Sequence, residues 1–405
     1  MKITVIGAGY VGLVSAACFS DFGYEVTCVD RDPRKLALLE GGRIPIYEQG
    51  LQPIVAANRA AGRLIFTDNM KDAVAKADVV LIAVGTPTRE GEDAADLSFV
   101  YAAGEEIAKA MQGFTVIVTK STVPVGTAAK LRQIMSRARP DGDFEVASNP
   151  EFMREGSAVE DFLRPDRVVV GVNSERAEKV MSQLYRPLTA KNVPLLVTSC
   201  EAAEIIKYAA NTFLATRIAF VNQLADLCEK VGADIEDVAR GMGLDKRIGL
   251  QFLSPGPGFG GSCFPKDTRA LVHTARLQGH PFSIVENVIA ANEQRKLALA
   301  DRIQQAVGGT LAGKRIALLG IAFKAETDDI RDAAVILTEW NVFRGLDLKR
   351  MARDMRQPVL VDFRNLFPIA DAKASGMAYH SIGRPSVGPE GGQKADVIPF
   401  KSGTV

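Results

Sequence analysis

Short apolar runs that alternate with segments of helical periodicity fill residues 1–198, and they constrain the fold more than any other feature. We interpret seven of these runs as strands: KITVIGAG, EVTCVD, DVVLIAVGTP, TVIVTKSTVP, FEVASNP, RVVVGV and VPLLVTS. A nearly continuous apolar run buries both faces of a strand, which is typical of a parallel sheet covered by helices. Strands that alternate with helices predict an α/β fold with a doubly wound, Rossmann-type sheet.

The periodicity changes at Glu201, where a long helical segment begins. This segment, EAAEIIKYAANTFLATRIAFVNQLADLCEKVGA, has no glycine or proline before Gly232, which predicts one helix of about 30 residues. A helix of that length is typical of one that connects domains or packs against a partner. Residues 245–267 are rich in glycine, proline and serine and are interpreted as a loop, after which helical patterns resume to residue 308.

A further unit begins at GKRIALLGIAF, and the runs VILTEW, PVLVDFRN and AYHSIG follow it. These runs predict a second, smaller Rossmann-like sheet. The block FKAETDDIRDA passes almost directly into VILTEW, whereas a parallel crossover needs roughly a dozen residues, so this sheet is predicted to be shortened.

The predicted organisation therefore has four parts. A Rossmann-type domain occupies 1–198 and a central helical domain 199–308. A shortened C-terminal domain occupies 309–384, and the tail 385–405, which has little apolar content, is predicted to be disordered.

Composition excludes several classes of partner and site. Lysine and arginine number 49 against 48 acidic residues, so no nucleic-acid partner or membrane surface is indicated. No apolar run reaches about 18 residues and the N-terminus enters a strand directly, so we expect no transmembrane helix, no signal peptide and a cytoplasmic location. The 5 cysteines form no CxxC pair and the 3 histidines no cluster, which argues against a disulfide framework and a metal site.

A glycine fingerprint follows the first strand. In GAGYVG, Gly7 permits a tight turn, Gly9 lets backbone approach a pyrophosphate, and Gly12 lets the helix pack close to the strand. Asp30 ends the next strand, where a carboxylate binds ribose hydroxyls, and Lys35 lies within reach of a cofactor phosphate. The pattern predicts a dinucleotide site that favours NAD over NADP, and the alternative is a glycine turn that serves packing only.

Two threonine-containing loops follow later strands of the same sheet. VGTPT contains Thr86 and KSTVPVGT contains Thr122. Because ligands bind at the carboxyl ends of strands in open α/β sheets, both threonines are candidates to face the cofactor. Ordinary turns with threonine caps remain the alternative.

Polar residues at helical spacing form two further candidate groups. Glu151 and Glu155 in NPEFMREG are four apart, and such a pair holds a water, acts as a general base or solvates a surface turn. Lys207 and Asn211 have the same spacing on the long apolar helix, where a lysine is costly unless it is paired or functional.

The stretch FGGSCFPKD places Cys263 after a glycine pair and shortly before Lys266 and Asp267. A buried packing cysteine is one interpretation, because cysteine is among the most buried residue types. The other is a nucleophile, since a nearby ammonium favours the reactive thiolate. In a nucleotide-dependent oxidoreductase, such a cysteine captures an aldehyde as a thiohemiacetal, which hydride loss turns into a hydrolysable thioester.

Taken together, these motifs resemble those of the UDP-glucose/GDP-mannose dehydrogenase family. GAGYVG, GTPT, KSTVPVGT, NPEFMREG, KYAANTFLATRIAFVNQ, GPGFGGSCFPKD, FKAETDDIRDA and SIGR occur in the family's order. The resemblance implies NAD-dependent four-electron oxidation of UDP-glucose to UDP-glucuronate. GDP-mannose and UDP-N-acetyl-mannosamine remain alternative substrates, because relatives that use them share the cysteine-loop chemistry.

The resemblance also implies roles for individual residues. Cys263 would be the nucleophile, Lys207 and Asn211 would stabilise oxyanions, and Glu155 would be the base for thioester hydrolysis, supported by Glu151. Thr122 and Asp267 would hold a water. The implied cofactor contacts are Gly7, Gly9, Val11, Gly12, Asp30, Lys35, Thr86, Thr122, Glu155, Lys266 and Arg331. The implied substrate contacts are Glu151, Phe152, Met153, Arg154, Glu155, Lys207, Asn211, Arg247, Phe252, Leu253, Ser254, Pro255, Gly256, Gly260 and Lys324.

The family further implies a homodimer through the long central helix, with Arg247 reaching the sugar nucleotide of the partner. One departure stands out, because family members carry additional βα units between DDIRDA and VILTEW. A second interpretation is therefore an NAD-binding dimer whose turnover is impaired by the shortened C-terminal domain.

Overall fold

The computed structural model describes residues 1–89, 92–313, 316, 341–355 and 358–388. The chain divides into two compact units. Unit 1 comprises Met1–Asn211 and Arg269–Pro281, and unit 2 comprises Thr212–Thr268 and Phe282–Val405. The four-part division made from the sequence stays a prediction.

Unit 1 contains an 8-stranded sheet in the order β3-β2-β1-β4-β5-β6-β7-β8. Its strands are β1 (Lys2–Ile6), β2 (Glu25–Val29), β3 (Leu64–Thr67), β4 (Val79–Ile82), β5 (Thr115–Thr119), β6 (Phe144–Ser148), β7 (Val168–Gly171) and β8 (Leu195–Thr198). All pairings are parallel except β6 with β7. The first six strands have the doubly wound order of dinucleotide-binding sheets, which confirms the predicted fold class.

The central strands are buried on both faces, as their apolar sequences predict. Val5 and Leu81 pack into one hydrophobic cluster, whereas their neighbours Ile6 and Ile82 pack into the cluster on the other face. The covering helices of unit 1 are α1 (Tyr10–Asp21), α2 (Pro33–Glu40), α3 (Leu51–Ala60), α4 (Met70–Ala75), α5 (Ser98–Ala110), α6 (Thr127–Ala138), α7 (Ala158–Leu163), α8 (Glu175–Leu184) and α9 (Arg186–Thr189).

Two helices belong partly to each unit. Helix α10 spans Cys200–Val231 and has 32 residues, which confirms the predicted long helix. Helix α12 spans Phe264–Leu277, so the prediction of a loop up to residue 267 is wrong at its end. Pro265 lies in the first turn of α12, where a missing N–H costs nothing because those groups have no partner within the helix. The remaining helices of the central region are α11 (Ile235–Gly243) and α13 (Ser283–Ala306).

The C-terminal part of unit 2 contains a small α/β layer. Its elements are α14 (Asn341–Arg344), α15 (Leu348–Asp354), β9 (Val359–Asp362), α16 (Ile369–Ser375) and β10 (Ala378–Ser381). Strands β9 and β10 are parallel neighbours, as PVLVDFRN and AYHSIG predict. The predicted strands GKRIALLGIAF and VILTEW, and the block FKAETDDIRDA, lie almost wholly outside the described residues. Val387, inside the segment predicted to be disordered, instead forms an antiparallel bridge with Tyr379.

Candidate active site

The glycine loop after β1 has the geometry that a dinucleotide site requires. Gly7 has φ of +102°, and a Cβ there would lie 2.7 Å from the carbonyl oxygen of Ala83. A Cβ on Gly12 would lie 1.8 Å from the carbonyl oxygen of Gly7, so the helix packs against the turn only without a side chain. A Cβ on Gly9 would meet no described atom within 4 Å, which leaves open space beside the backbone. The loop therefore fits a pyrophosphate.

Asp30 lies beside this loop at the end of β2. Its Oδ2 accepts a hydrogen bond of 2.7 Å from the N–H of Ala8, and its Oδ1 accepts one of 2.9 Å from the N–H of Asp32. Lys35 Nζ lies 3.6 Å from Oδ2. The first turn of α1, which contains Val11, carries no acidic residue, so its N–H groups suit an anion.

The two threonine-containing loops that follow β4 and β5 contact each other. Thr86 Oγ1 donates to the carbonyl oxygen of Thr122 at 3.0 Å. Ser121 Oγ donates to the carbonyl oxygen of Val84 at 2.6 Å. Because β1, β4 and β5 are adjacent in the sheet, both loops lie at the same carboxyl edge as the glycine loop.

Glu151 and Lys207 form a buried ion pair. Lys207 Nζ donates to Glu151 Oε1 at 3.1 Å, and the side chain of Lys207 is only 4% exposed and that of Glu151 only 9%. Residues 151–154 are irregular, so Glu151 and Glu155 are not one helical turn apart and the solvated-face alternative is wrong for Glu151. The N–H of Met153 donates to Glu151 Oε2 at 2.6 Å. Asn211, one turn after Lys207 on α10, is also buried.

The neighbours of Glu151 on the same segment have different surroundings. The ring of Phe152 lies 3.8 Å from the guanidinium carbon of Arg167 and 5.4 Å from Lys207 Nζ, which are cation–π distances. Arg154 is exposed and pairs with Asp161 at 2.6 Å. This pairing leaves the guanidinium of Arg154 on the surface of its unit.

A second buried lysine, which the sequence analysis did not select, lies beneath this segment. Lys120 Nζ donates to Asn149 Oδ1 at 2.9 Å and to the hydroxyl of Tyr185 at 3.3 Å. Burial lowers the pKa of Lys120 to about 8. The negative charge of Glu151 raises this pKa, and the positive charge of Lys207 lowers it. Lys120 begins KSTVPVGT, but its contacts are with residues remote in sequence.

Cys263 is the exposed member of the five cysteines, all of which lie in the described ranges. Burial raises the pKa of Cys18 and Cys28, and raises that of Cys200 to about 12. The pKa of Cys228 is also raised by burial. The interpretation of Cys263 as a buried packing residue is therefore wrong, whereas the other four cysteines are buried.

Cys263 immediately precedes α12. Its carbonyl oxygen accepts a 2.9 Å hydrogen bond from the N–H of Asp267, which makes it the N-cap residue of that helix. In the first turn, Lys266 Nζ donates to Asp267 Oδ1 at 2.7 Å, and Asp267 is buried. Ser262 Oγ lies 3.5 Å from Cys263 Sγ.

The glycine-rich loop before Cys263 is anchored by side chains from α10 and α13. Asn222 Oδ1 accepts a 2.8 Å hydrogen bond from the N–H of Gly256, and Arg295 Nε donates to the carbonyl oxygen of Gly256 at 2.7 Å. Asn292 bonds both backbone groups of Phe259, at 2.8 and 3.0 Å. Three buried polar side chains thus fix the path of this loop.

The predicted substrate residues on this loop are partly buried and partly exposed. Phe252 has φ of +60°, a left-handed conformation that is uncommon for an aromatic residue and typical of functional segments. Its ring packs 6.2 Å from that of Phe264, the first residue of α12. Leu253 and Pro255 are buried, whereas Ser254 is exposed; Gly260 is intermediate.

Four further basic residues of unit 2 bear on the candidate site. Arg247 is 89% exposed in its side chain and pairs with Asp245 at 2.6 Å. Arg364 was not predicted from the sequence. Its guanidinium lies beside the backbone of Gly256, because a Cβ built on Gly256 would be 3.0 Å from Arg364 Nη1. Lys324 and Arg331 lie outside the described residues.

Neither a cluster of metal-ligating side chains nor a membrane-spanning helix occurs in the described part of the chain. No group of three histidine, cysteine, aspartate or glutamate side chains there is placed to hold a metal ion. None of the helices in that part is both long and apolar enough to span a membrane.

Comparison with known proteins identifies relatives along nearly the whole chain. Residues 1–189 match the NAD binding domain of the UDP-glucose/GDP-mannose dehydrogenase family, and residues 201–294 match its central domain. The chain is 50% identical to UDP-glucose 6-dehydrogenase of Rhizobium meliloti over 95% of this chain and 100% of that one. It is 42% identical to UDP-glucose 6-dehydrogenase TuaD of Bacillus subtilis, over 95% and 94% of the two chains.

A solved structure shows the same likeness in three dimensions. The UDP-glucose dehydrogenase of Pyrobaculum islandicum superposes with a TM-score of 0.86 and 34% identity, over 94% of this chain and 96% of that one. The Rhizobium alignment runs over 436 positions but includes 95% of 405 residues, which is about 385. About 50 positions of that relative therefore have no counterpart here.

Proposed function

The chain belongs to the UDP-glucose/GDP-mannose dehydrogenase family, and on that premise we propose that it catalyses the NAD-dependent oxidation of UDP-glucose to UDP-glucuronate. The observation that carries the proposal is the 50% identity to a complete UDP-glucose 6-dehydrogenase. The reaction removes four electrons from C6 of the glucose, so each sugar uses two NAD and one water. NAD, when bound, accepts a hydride in each of the two oxidations.

The cofactor site of the proposal lies at the carboxyl edge of the sheet in unit 1. The open backbone at Gly9 and the N-terminus of α1 would receive the pyrophosphate. Asp30 would accept hydrogen bonds from the ribose hydroxyls, and Lys35 beside it would meet a phosphate. The remaining cofactor residues of the proposal are Gly7, Val11, Gly12, Thr86, Thr122, Glu155, Lys266 and Arg331.

Cys263 is the proposed nucleophile. After the first hydride leaves C6, the Cys263 thiolate attacks the resulting aldehyde, a C–S bond forms and the carbonyl oxygen takes up a proton. Loss of the second hydride from C6, together with the proton of the thiohemiacetal hydroxyl, gives a thioester. Attack by water then breaks the C–S bond, returns the Cys263 thiolate and releases the acid. The exposure of Cys263 and its N-cap position support this role, because the N–H groups of a helix start favour an anion.

The other proposed catalytic residues act on oxygen atoms of the reacting carbon or on water. Lys207 and Asn211 would donate to the oxyanion, and their buried positions on one face of α10 support this role. Glu151 keeps Lys207 paired and oriented. Glu155 would take the proton of the attacking water, and that is the proposed general-base step. Thr122 and Asp267 are the proposed ligands of a water molecule.

The proposed substrate contacts come from two segments and from the C-terminal layer. Phe152–Glu155 and the anchored loop Phe252–Gly256 would contact the sugar nucleotide, together with Gly260 and Lys324. Arg364 adds a guanidinium beside Gly256, where bidentate hydrogen bonds to a diphosphate are favourable. The structure supports the loop assignment through its rigid anchoring by Asn222, Asn292 and Arg295.

We further propose a homodimer through α10. Phe213, Phe220 and Leu227 recur every seven residues on this helix and are 63%, 54% and 53% exposed. Such a stripe of large apolar side chains suits an isologous helix–helix contact with a second copy. Arg247, exposed in its own chain, would reach the sugar nucleotide of the partner. Phe220→Glu should give a monomer in sedimentation, and an unchanged dimer would contradict the proposed interface.

We propose a cytoplasmic location. Support comes from the five free cysteines, which suit a reducing compartment.

A second candidate function is NAD binding with impaired turnover. The observation that favours it is the set of about 50 positions of the Rhizobium relative that have no counterpart here. We assign that gap to the C-terminal domain proposed to cover the nucleotide, between FKAETDDIRDA and VILTEW, because these two runs are almost contiguous in the sequence. Weak UDP binding would then limit the reaction although the proposed catalytic residues are present.

One experiment separates these functions. Purified protein with NAD is offered UDP-glucose, GDP-mannose and UDP-N-acetyl-mannosamine in turn, and NADH is counted against sugar consumed. Two NADH per UDP-glucose, with little from the other sugars, is the expected result. Tight NAD binding without NADH from any sugar would establish the second candidate instead.

A further inference from the structure

Glu48 is a buried carboxylate that neither the motifs nor the proposed mechanism uses. It lies in PIYEQG, the loop between α2 and α3, and is almost wholly inaccessible to solvent. A buried carboxylate is costly unless hydrogen bonds compensate for its lost hydration. The partners of Glu48 therefore indicate what this loop is built to hold.

All described partners of the Glu48 carboxylate lie in the cofactor loop or beside Glu155. Oε2 accepts from the hydroxyl of Tyr10 and from the N–H of Gly156, the latter at 2.9 Å. Oε1 accepts from the N–H of Ala158 at 2.8 Å. The N–H of Gly156 also lies 2.9 Å from the hydroxyl oxygen of Tyr10.

These contacts restrain Glu155 itself. The N–H of Gly156 belongs to the peptide unit that includes the carbonyl of Glu155, so holding it restrains the ψ angle of Glu155 and thereby the backbone from which its side chain projects. Gly156 has φ of +83°, which a glycine adopts without strain. Ala158 is the first residue of α7, and Glu48 supplies the capping acceptor that the side chain of Ser157 does not provide among the described contacts.

Tyr10 connects the same carboxylate to the dinucleotide loop. It follows Gly9 directly and is the first residue of α1. Burial raises the pKa of Tyr10, and the charges of Glu48 and of Glu155 raise it further. The phenol therefore stays protonated and donates, and it lies close enough to Glu155 for the two groups to interact.

We infer that Glu48 is a positioning residue that orients Glu155, the proposed base for thioester hydrolysis, and joins it through Tyr10 to the cofactor loop. The inference rests on the proposed function. The role of Glu48 needs no contact with substrate or cofactor; it acts by holding one peptide unit and one helix start.

Glu48→Gln is the test variant, because it keeps the shape but has one acceptor oxygen where two are needed. An amide N–H then faces the N–H of Gly156 or of Ala158. We expect kcat to fall on the order of 10-fold, part of the 10²–10⁴-fold that a positioned base contributes. The KM values for NAD and UDP-glucose should change little. In rapid mixing, a burst of two NADH per site should precede the slowed steady state, since the thioester forms but hydrolyses slowly.

Two further variants distinguish positioning from stability. Glu48→Asp keeps two acceptor oxygens and should recover part of kcat. Ser174→Ala removes the capping hydrogen bond of α8 in the same unit, which the N–H of Ala177 donates to Ser174 Oγ at 3.2 Å. This variant should have a lower melting temperature but should show no NADH burst before the steady state.

Each outcome decides the question. A Glu48→Gln protein with parental kcat, or with only a raised KM for NAD, overturns the inference while the proposed function stands. A parent chain that forms no NADH from UDP-glucose overturns the proposed function, and the inference falls with it. A lower kcat with the burst, and partial recovery by Glu48→Asp, establishes the positioning role.

Discussion

Lys207 on α10 and Glu151 after β6 form an ion pair of 3.1 Å in which both side chains are almost completely buried. The two residues are 56 positions apart, so the pair joins the long helix to the carboxyl edge of the sheet. Removal of one charge leaves the other in a medium that does not solvate it. The pair is therefore both a structural contact of unit 1 and the support of the proposed oxyanion-binding lysine.

Lys207→Met should impair stability and activity together. Loss of one partner of a buried pair costs about 3–5 kcal/mol in the free energy of unfolding. Loss of an oxyanion donor lowers kcat on the order of 10²–10³-fold. Urea unfolding and NADH formation from UDP-glucose measure the two effects.

A second substitution separates the two effects of Lys207. The double variant Lys207→Met with Glu151→Gln has neither charge of the pair and keeps an acceptor for the N–H of Met153. It should therefore recover much of the stability that Lys207→Met loses, but none of the activity. The surface pair of Arg240 with Asp237 is the matched control, and Arg240→Gln should cost under about 1 kcal/mol. Recovery of kcat in the double variant would remove Lys207 from the mechanism.

Lys120 should make stability depend on pH in the alkaline range. Burial lowers the pKa of Lys120 to about 8 in the folded chain, against about 10.4 for an unfolded lysine. Between these values the unfolded state binds the proton that the folded state has lost, so stability rises with pH. Relative to Lys120→Met, the parent should gain about 2.5 kcal/mol from pH 7 to pH 10.

Urea unfolding of both proteins at pH 7, 8.5 and 10 measures that gain. The variant lacks the titrating group, so the difference between the two proteins isolates Lys120 from every other ionisation. A difference that is flat across the range would show that Lys120 keeps an ordinary pKa in the fold.

Seven of the eight strands of the sheet in unit 1 were predicted from their apolar runs, including β8 at one edge, whereas β3 at the other edge was not. Continuous apolar runs predicted seven strands because residues such as Val5 and Ile82 are buried on opposite faces. Strand β3 was missed because it is a short edge strand in which Ile65 is 54% exposed and only alternate residues are buried. The start of α12 was not predicted because proline, here Pro265, usually indicates a loop, although it is tolerated in the first turn of a helix.

In the candidate site, features set by local sequence were predicted, and contacts between residues far apart in sequence were not. Glycine spacing predicted the roles of Gly7 and Gly12 because a tight turn has a local signature. Sequence spacing did not predict the ion pair of Glu151 with Lys207, since their separation of 56 residues closes only in the fold. Glu48 was missed for the same reason, as its contact with Gly156 spans 108 residues.

Asn292 should control the order of the loop that precedes Cys263. Its side chain bonds the N–H and the carbonyl of Phe259, and a Cβ on Gly258 would lie 2.7 Å from its Oδ1. Asn292→Ala leaves two buried backbone groups without these partners, at a cost of about 1–3 kcal/mol for each. We expect a raised KM for UDP-glucose and faster alkylation of Cys263 by iodoacetamide.

Asn287 supplies the matched control for that experiment. It lies on the same helix, α13, and its exposed amide donates to the carbonyl oxygen of Ser283 at 2.9 Å. Asn287→Ala should change neither KM nor the alkylation rate. Equal effects of the two variants would assign the change to α13 in general and not to the loop contact.

Cys263→Ser should stop acid formation while NAD binding persists. A serine hydroxyl is not ionised near neutral pH and forms no thioester, so steady-state NADH formation should fall on the order of 10³-fold or more. The dinucleotide residues of unit 1 are unaltered, so an NAD titration by fluorescence should give the parental affinity. Cys228→Ser, which removes a buried thiol of unit 2, should leave kcat near the parental value. Undiminished turnover in Cys263→Ser would mean that C6 reaches the acid without a covalent link to this cysteine.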